Sequence, residues 1–299
     1  NGGLKANYTF NTLSNLEVGY TFDQYDKSDY QVLYKNDVRD YSNVQHNVHA
    51  LYNYTFNEKH TLTVGADYLR DYLMSYQFTD NADHTMHTAD AFGQFDWNPT
   101  ERLNVIAGLR FDYFSDSNVR HLSPHLGMMY KIGNCSLRGS YSQGFRSPTL
   151  KEMYMVFNMA NMMMIYGNPD LKSETSHNFS VSAEYTKSRY NFSITGYYNL
   201  VHNRINTVYS EDPKGQIYTN TDKMDIAGID ANISAKYPCG LGYRLSYTYI
   251  HEFMHDGQKK FTDTRPHTAT VRIDWSKTLN KVDFNYSLNG RVLSKVKTN

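Results

Sequence analysis

Strand-like runs in which apolar and polar side chains alternate, many of the strands ten to fourteen residues long, set the terms for this chain. Leu103, Val105, Ala107, Leu109, Phe111 and Tyr113 are interleaved with Asn104, Gly108, Arg110 and Asp112. Phe179, Val181, Ala183 and Tyr185 alternate with Ser180, Ser182 and Glu184. His267 to Trp275 and Val282 to Leu288 repeat the theme. Successive residues of a strand point to opposite faces, so each run has one apolar and one polar face. Soluble strands average about five to six residues. Runs of this length, at about 3.3 Å per residue and a tilt near 40°, cross an apolar band of roughly 25 Å.

Composition agrees with that reading. Mean hydropathy is −0.65, too polar for a helical membrane protein, and no run of about 18 apolar residues exists. Yet 27 tyrosines are present among 299 residues. Tyrosine suits positions where one end meets hydrocarbon and the other meets water. Lys+Arg and Asp+Glu are balanced at 30 each, so no global field attracts nucleic acid. Cys135 and Cys239 are too few for a disulfide framework and lack metal-ligand spacing.

The connections between strands come in two alternating sizes. Short turns are expected at 57–60, 98–101, 133–134, 187–189, 238–242 and 277–280. Long polar loops are expected around 26–43, 72–88, 145–175, 202–222 and 251–266. Antiparallel neighbours joined in this way put every long loop on one side. The fold expected is all-β: a transmembrane antiparallel β-barrel with short periplasmic turns and long extracellular loops, of about fourteen strands. An outer-membrane location in a Gram-negative bacterium and outer-membrane lipid as a neighbour follow from it.

One loop is unlike the others. Phe145-Arg146-Ser147-Pro148 precedes it and Asn168-Pro169-Asp170-Leu171 closes it; Met153, Tyr154, Met155, Met159, Met162, Met163, Met164 and Tyr166 lie between. These boxes, with Ala91–Leu103, Ala107–Tyr113, Leu122–Gly127 and Ile226–Asp230, resemble the barrel of TonB-dependent outer-membrane receptors. The resemblance implies a 22-strand-type barrel whose lumen is filled by a plug. It makes residues 1–299 a fragment of that barrel domain, with plug and terminal strands outside it. It also implies uptake of an iron chelate, driven by the TonB–ExbB–ExbD energy-coupling complex acting through the plug, with no enzymatic activity and no resident cofactor.

The two boxes are similar to the FRAP and NPDL boxes of haem receptors in that family, so haem is the expected cargo, with a surface haem-binding lipoprotein as a further expected partner. A ferric siderophore or cobalamin is the alternative; a passive porin or a structural barrel is the reading from another class. Haem receptors commonly place a histidine between the boxes, and this chain has none from Arg146 to Leu171. Methionine thioethers and tyrosinate are acceptable axial ligands to haem iron, and thioethers also select Cu(I). His84, His87, His251 and His255 are the loop histidines that could contribute. Phe145, Arg146, Pro148, Asn168, Pro169, Asp170 and Leu171 are expected to hold the loop base, the prolines fixing its backbone.

His251-Glu252-Phe253-Met254-His255 spells a zinc-protease motif, but that chemistry needs a helix. Here the motif continues an alternating run, and a strand separates its two imidazoles by about 13 Å.

Overall fold

In the computed structural model, residues 1–78, 83–115, 118–159, 163–253 and 265–296 are described. Fourteen strands follow one another in space in chain order, each antiparallel to the next. They are β1 (Gly2–Asn11), β2 (Ser14–Gln31), β3 (Asn36–Phe56), β4 (His60–Ser75), β5 (His84–Trp97), β6 (Leu103–Phe114), β7 (Val119–Ile132) and β8 (Cys135–Arg146). After an inserted segment come β11 (Glu174–Lys187), β12 (Tyr190–Glu211), β13 (Lys214–Lys236), β14 (Leu241–Phe253), β15 (His267–Leu279) and β16 (Val282–Leu293). Among the described residues β1 pairs only with β2 and β16 only with β15, leaving two open edges.

Register sorts the side chains as the alternation requires. Along β7, Leu122, Leu126, Met128 and Ile132 lie on one face and are half exposed. The other face carries the charged side chains. There Asp67, Asp90 and Asp112 stand abreast on three neighbouring strands. Arg110 bonds Asp90 at 3.0 Å and Asp112 at 2.8 Å. Arg138 bonds Glu184 at 2.8 Å on that same face. An apolar face left uncovered over a whole sheet, backed by a polar face with paired charges, is the wall of a membrane barrel: lipid outside, lumen inside.

Two expected loops are strands instead. Residues 26–43 and 202–222 continue β2–β3 and β12–β13 as paired ribbons, in register to Gln31↔Asn36 and Glu211↔Lys214. Beyond the membrane both faces of a ribbon are wet, so the alternation that marks a strand disappears although the pairing persists. Only 32–35 and 212–213 turn. The loop expected at 72–88 is likewise shorter, between Ser75 and His84.

Candidate functional site: a strap across the lumen face

The segment between β8 and β11 folds back over the lumen face. It contains a short helix, α1 (Leu150–Tyr154), and a hairpin of β9 (Val156–Met159) and β10 (Met163–Tyr166). The helix starts where local chemistry dictates. Pro148 precedes it, and Thr149 and Glu152 form a reciprocal capping box, each side chain bonding the other's backbone N–H. The hairpin then reaches two walls. Val156 N–H donates to Gln77 O at 2.7 Å on the β4–β5 side. On the other side β10 runs parallel to β13, pairing Ile165↔Gln216 and Tyr166↔Ile217.

Arg146 is the clasp of this strap. It ends β8 directly opposite Glu174, which opens β11. Its guanidinium bonds both oxygens of Glu174 at 3.1 and 3.0 Å and both of Glu152 at 2.9 Å. Glu174 also accepts the Ile205 N–H at 2.6 Å. A planar fork suits two carboxylates at once. The hydrogen bonds it donates to Glu174 hold the guanidinium above its ordinary range, against the opposing effect of burial. Burial by itself would raise the Glu174 carboxyl; Arg146 and the Ile205 N–H outweigh it and hold the group below its usual value. A carboxylate depressed in this way contributes fully above its unfolded value near about 4.3, and the contribution disappears as pH falls through the lower folded value. The protection of 147–173 against hydrogen exchange in the full-length receptor, taken relative to the intrinsic rate at each pH, is therefore expected to hold at pH 6–8 and to fall only below roughly pH 4.

The base boxes make these contacts. Pro148 is fully buried and Leu171 buried. Asn168 Nδ2 donates to Tyr218 O at 3.0 Å, and its Oδ1 accepts the Asp170 N–H at 2.9 Å. Asp170 thus serves through its backbone; its side chain, like Pro169, is exposed. The Phe145 ring stacks on His121 at 4.2 Å. Gly167 lies where the strap crosses itself, and a Cβ there would meet Met153 O at 2.7 Å.

The methionines have separate fates. Met153 is buried with Leu150 against Leu73, Phe78, Leu171 and Ile205, so it is a packing residue, not a free thioether. Tyr154 stacks face to face on His84 at 3.9 Å. Met155, with Tyr41, Lys151, Phe157, Ile165 and Tyr218, lines a cavity of about 310 Å³. Lys151 Nζ sits 5.3 Å over the Tyr41 ring in this wall. Met159 and Met163 are register partners in the hairpin; Met163, Met164 and Tyr166 are half-buried on β10. Met162 and His255 lie outside the described residues. The remaining expected histidines do not join the strap: His87 and His251 fall on the outer face, with Ala89 and Tyr249 in their own strands. His251-Glu252-Phe253 is strand, as the protease argument requires.

Glu152, Glu174, Lys151 and Asn220 escape a reading of the sequence. Asn220 bonds the Lys172 N–H and C=O, each at 2.7 Å, and so seals the far end of the strap. Thr149-x-x-Glu152 is a legible signal for one of them. The others act over long sequence separations and leave no local pattern.

A meander with an apolar outer face, a charged lumen face and a strap clasped between two boxes defines the barrel of an outer-membrane receptor. The chain belongs to the TonB dependent receptor-like, beta-barrel family, whose model matches residues 1–298. The protein is accordingly one of a Gram-negative outer membrane. It is 27% identical over 207 residues to the iron-regulated outer membrane virulence protein of Vibrio cholerae, covering 62% of this chain and 31% of that one. To the probable TonB-dependent siderophore receptor PirA of Acinetobacter baumannii it is 28% identical over 123 residues, 37% of this chain and 16% of the relative. The siderophore receptor PirA from Pseudomonas aeruginosa shares the fold, with a TM-score of 0.71 at 14% identity, over 96% of this chain and 61% of that structure. The chain thus spans about a third of the length of the first of these relatives, at 31%.

Proposed function

We propose that the whole protein takes up a ferric chelate of the siderophore class across the outer membrane. The observation that carries this is the strap cavity. It is walled by aromatic and thioether groups and holds one cation, Lys151, against Tyr41. Apolar walls with a few placed polar groups suit a chelate's organic shell, and an ammonium suits its negative charge. Relatives described as iron-regulated and as a siderophore receptor support the same cargo class. Energy would come from TonB–ExbB–ExbD through a plug in the lumen. Asp90 Oδ1 and His121 Nε2, buried on the lumen side without a hydrogen-bond partner among the described residues, are groups such an occupant could satisfy.

Haem is the second reading, favoured by the half-buried Met155, Met163, Met164 and Tyr166. A surface haem-binding lipoprotein belongs to that reading alone. Titrating the full-length receptor with ferric catecholates and with haemin separates the two. The proposal expects saturable siderophore binding and an unshifted Soret band; a Soret shift with no siderophore binding would overturn it. Lys151→Ala should weaken an anionic ferric chelate about tenfold, equal to about 1.4 kcal/mol, and leave a neutral one unaffected.

A further inference from the structure

Arg110, Arg138 and Arg146 each meet carboxylates on the lumen face. At the short-turn end of β13–β15 that matching breaks down. Arg244 and Arg272 are direct register partners, with Ser234 opposite Arg244 on its other side. These positions alternate with Ile233 and Leu245, which are exposed on the outer face, so the row looks into the lumen. Like charges placed directly opposite each other on neighbouring strands repel. Lys236, the last residue of β13, adds a third cation two residues beyond Ser234.

One cavity of about 460 Å³ gathers these groups. Arg189, Lys236, Arg244 and Arg272 line it with Ser234 and a single carboxylate, Asp274. Arg272 Nε already bonds both oxygens of Asp274, at 3.0 and 2.8 Å. Among the described residues the side chains of Lys236 and Arg244 make no hydrogen bond and no ion pair. The walls are fixed by neighbouring turns. The Arg189 guanidinium lies 5.3 Å over the Tyr237 ring, and its carbonyl accepts the Lys236 N–H at 3.2 Å. Gly240, at φ 89°, presses the β13–β14 turn onto β15, where its carbonyl accepts the Ser276 N–H at 3.0 Å. A side chain at that glycine would collide with the Ser276 carbonyl.

We infer that this cavity is an exit subsite for anionic cargo, which receives the chelate at the short-turn mouth of the lumen. The inference rests on the uptake reading above and narrows it to chelates of net negative charge. An oxyanion seated between Arg244 and Arg272 relieves their repulsion, and planar guanidiniums hold such oxygens in paired contacts. A cleft of one sign also concentrates solutes of the opposite sign. The same strand carries a cation at each end of the route. Tyr218 of β13 shares the strap cavity with Lys151, and Lys236 closes β13 at its other end. Short turns lie on the periplasmic side of such barrels, so the second station faces the compartment into which cargo leaves.

The test uses the full-length receptor, with a ferric tris-catecholate as the anionic probe. Lys236→Gln and Arg244→Gln are combined, because neither change breaks an ion pair. Binding to the purified receptor is followed by fluorescence quenching, and uptake by cells with radiolabelled iron. The double variant is expected to bind the probe as the parent does, while its maximal uptake rate falls about tenfold. Arg244→Lys, which keeps the charge, should retain most of that rate. Heat-modifiable mobility confirms a folded barrel; if the double variant does not fold, Arg244→Gln alone should give a smaller drop. Unchanged uptake in the folded variants overturns the subsite, as does an equal loss in Arg244→Lys. A loss accompanied by entry of large antibiotics that the parent excludes also overturns it, because the cations would then be holding the plug. If the parent itself binds no ferric tris-catecholate, the cargo reading falls and takes the subsite with it; normal binding with uptake indifferent to these charges removes the subsite alone.

Discussion

Replacing Met153 with aspartate is expected to detach the strap and abolish chelate uptake by the full-length receptor, while the barrel still folds and inserts. Met153 is 3% exposed, in a cluster with Leu73, Phe78, Leu150, Leu171 and Ile205. Removing such a side chain costs about 2–5 kcal/mol, and a carboxylate put in its place adds a desolvation penalty. The cluster is small and local, so the loss falls on the strap and not on the fourteen-strand ladder. Met153→Leu separates packing from chemistry. It conserves volume, costs under about 1.5 kcal/mol, and should leave uptake near normal. Uptake lost in the leucine variant as completely as in the aspartate variant would mean that the thioether itself is required. The readouts are growth on the ferric chelate as sole iron source and protease sensitivity of 147–173.

How far the sequence reveals this molecule depends on what each segment faces. Leu103–Tyr113 and Phe179–Tyr185 alternate because one side meets lipid and the other the lumen, so strand, face and class are all legible there. The ribbons at 26–43 and 202–222 meet water on both sides and lose that signature, although their backbones pair as regularly. The strap is legible at its ends and opaque within. Arg146 and Asn168 stand in boxes that name their position, whereas Glu174, 28 residues from Arg146, becomes a partner only once β8 and β11 are paired. Nor does the sequence reveal that Met153 points into a core and Met155 into a cavity. A one-turn helix ending at Tyr154 sets that difference, and its only trace is the spacing of Thr149 and Glu152.

Arginine at Val181 is expected to block barrel insertion, and arginine one residue away to be tolerated. Val181 is 70% exposed on the outer face of β11, between Phe179 and Tyr185, and its cross-strand neighbours are Gly139 and Gly196. A guanidinium there stands in hydrocarbon, at a cost of about 2–4 kcal/mol near the bilayer midplane. The two glycines offer it no partner. Ser182 looks into the lumen, opposite Arg138 and Thr195, beside the Arg138–Glu184 ion pair. A second cation there meets water and a carboxylate, and its cost should stay within about 1 kcal/mol. Folding yield into lipid vesicles, read by heat-modifiable mobility, measures both. The contrast matters because surface exposure alone does not identify a membrane face: in water an exposed valine exchanged for arginine is nearly neutral. Equal yields for Val181→Arg and Ser182→Arg would therefore mean that the sheet's apolar face is not the one that meets lipid. The strap, seated on the opposite face, would then no longer lie in a lumen.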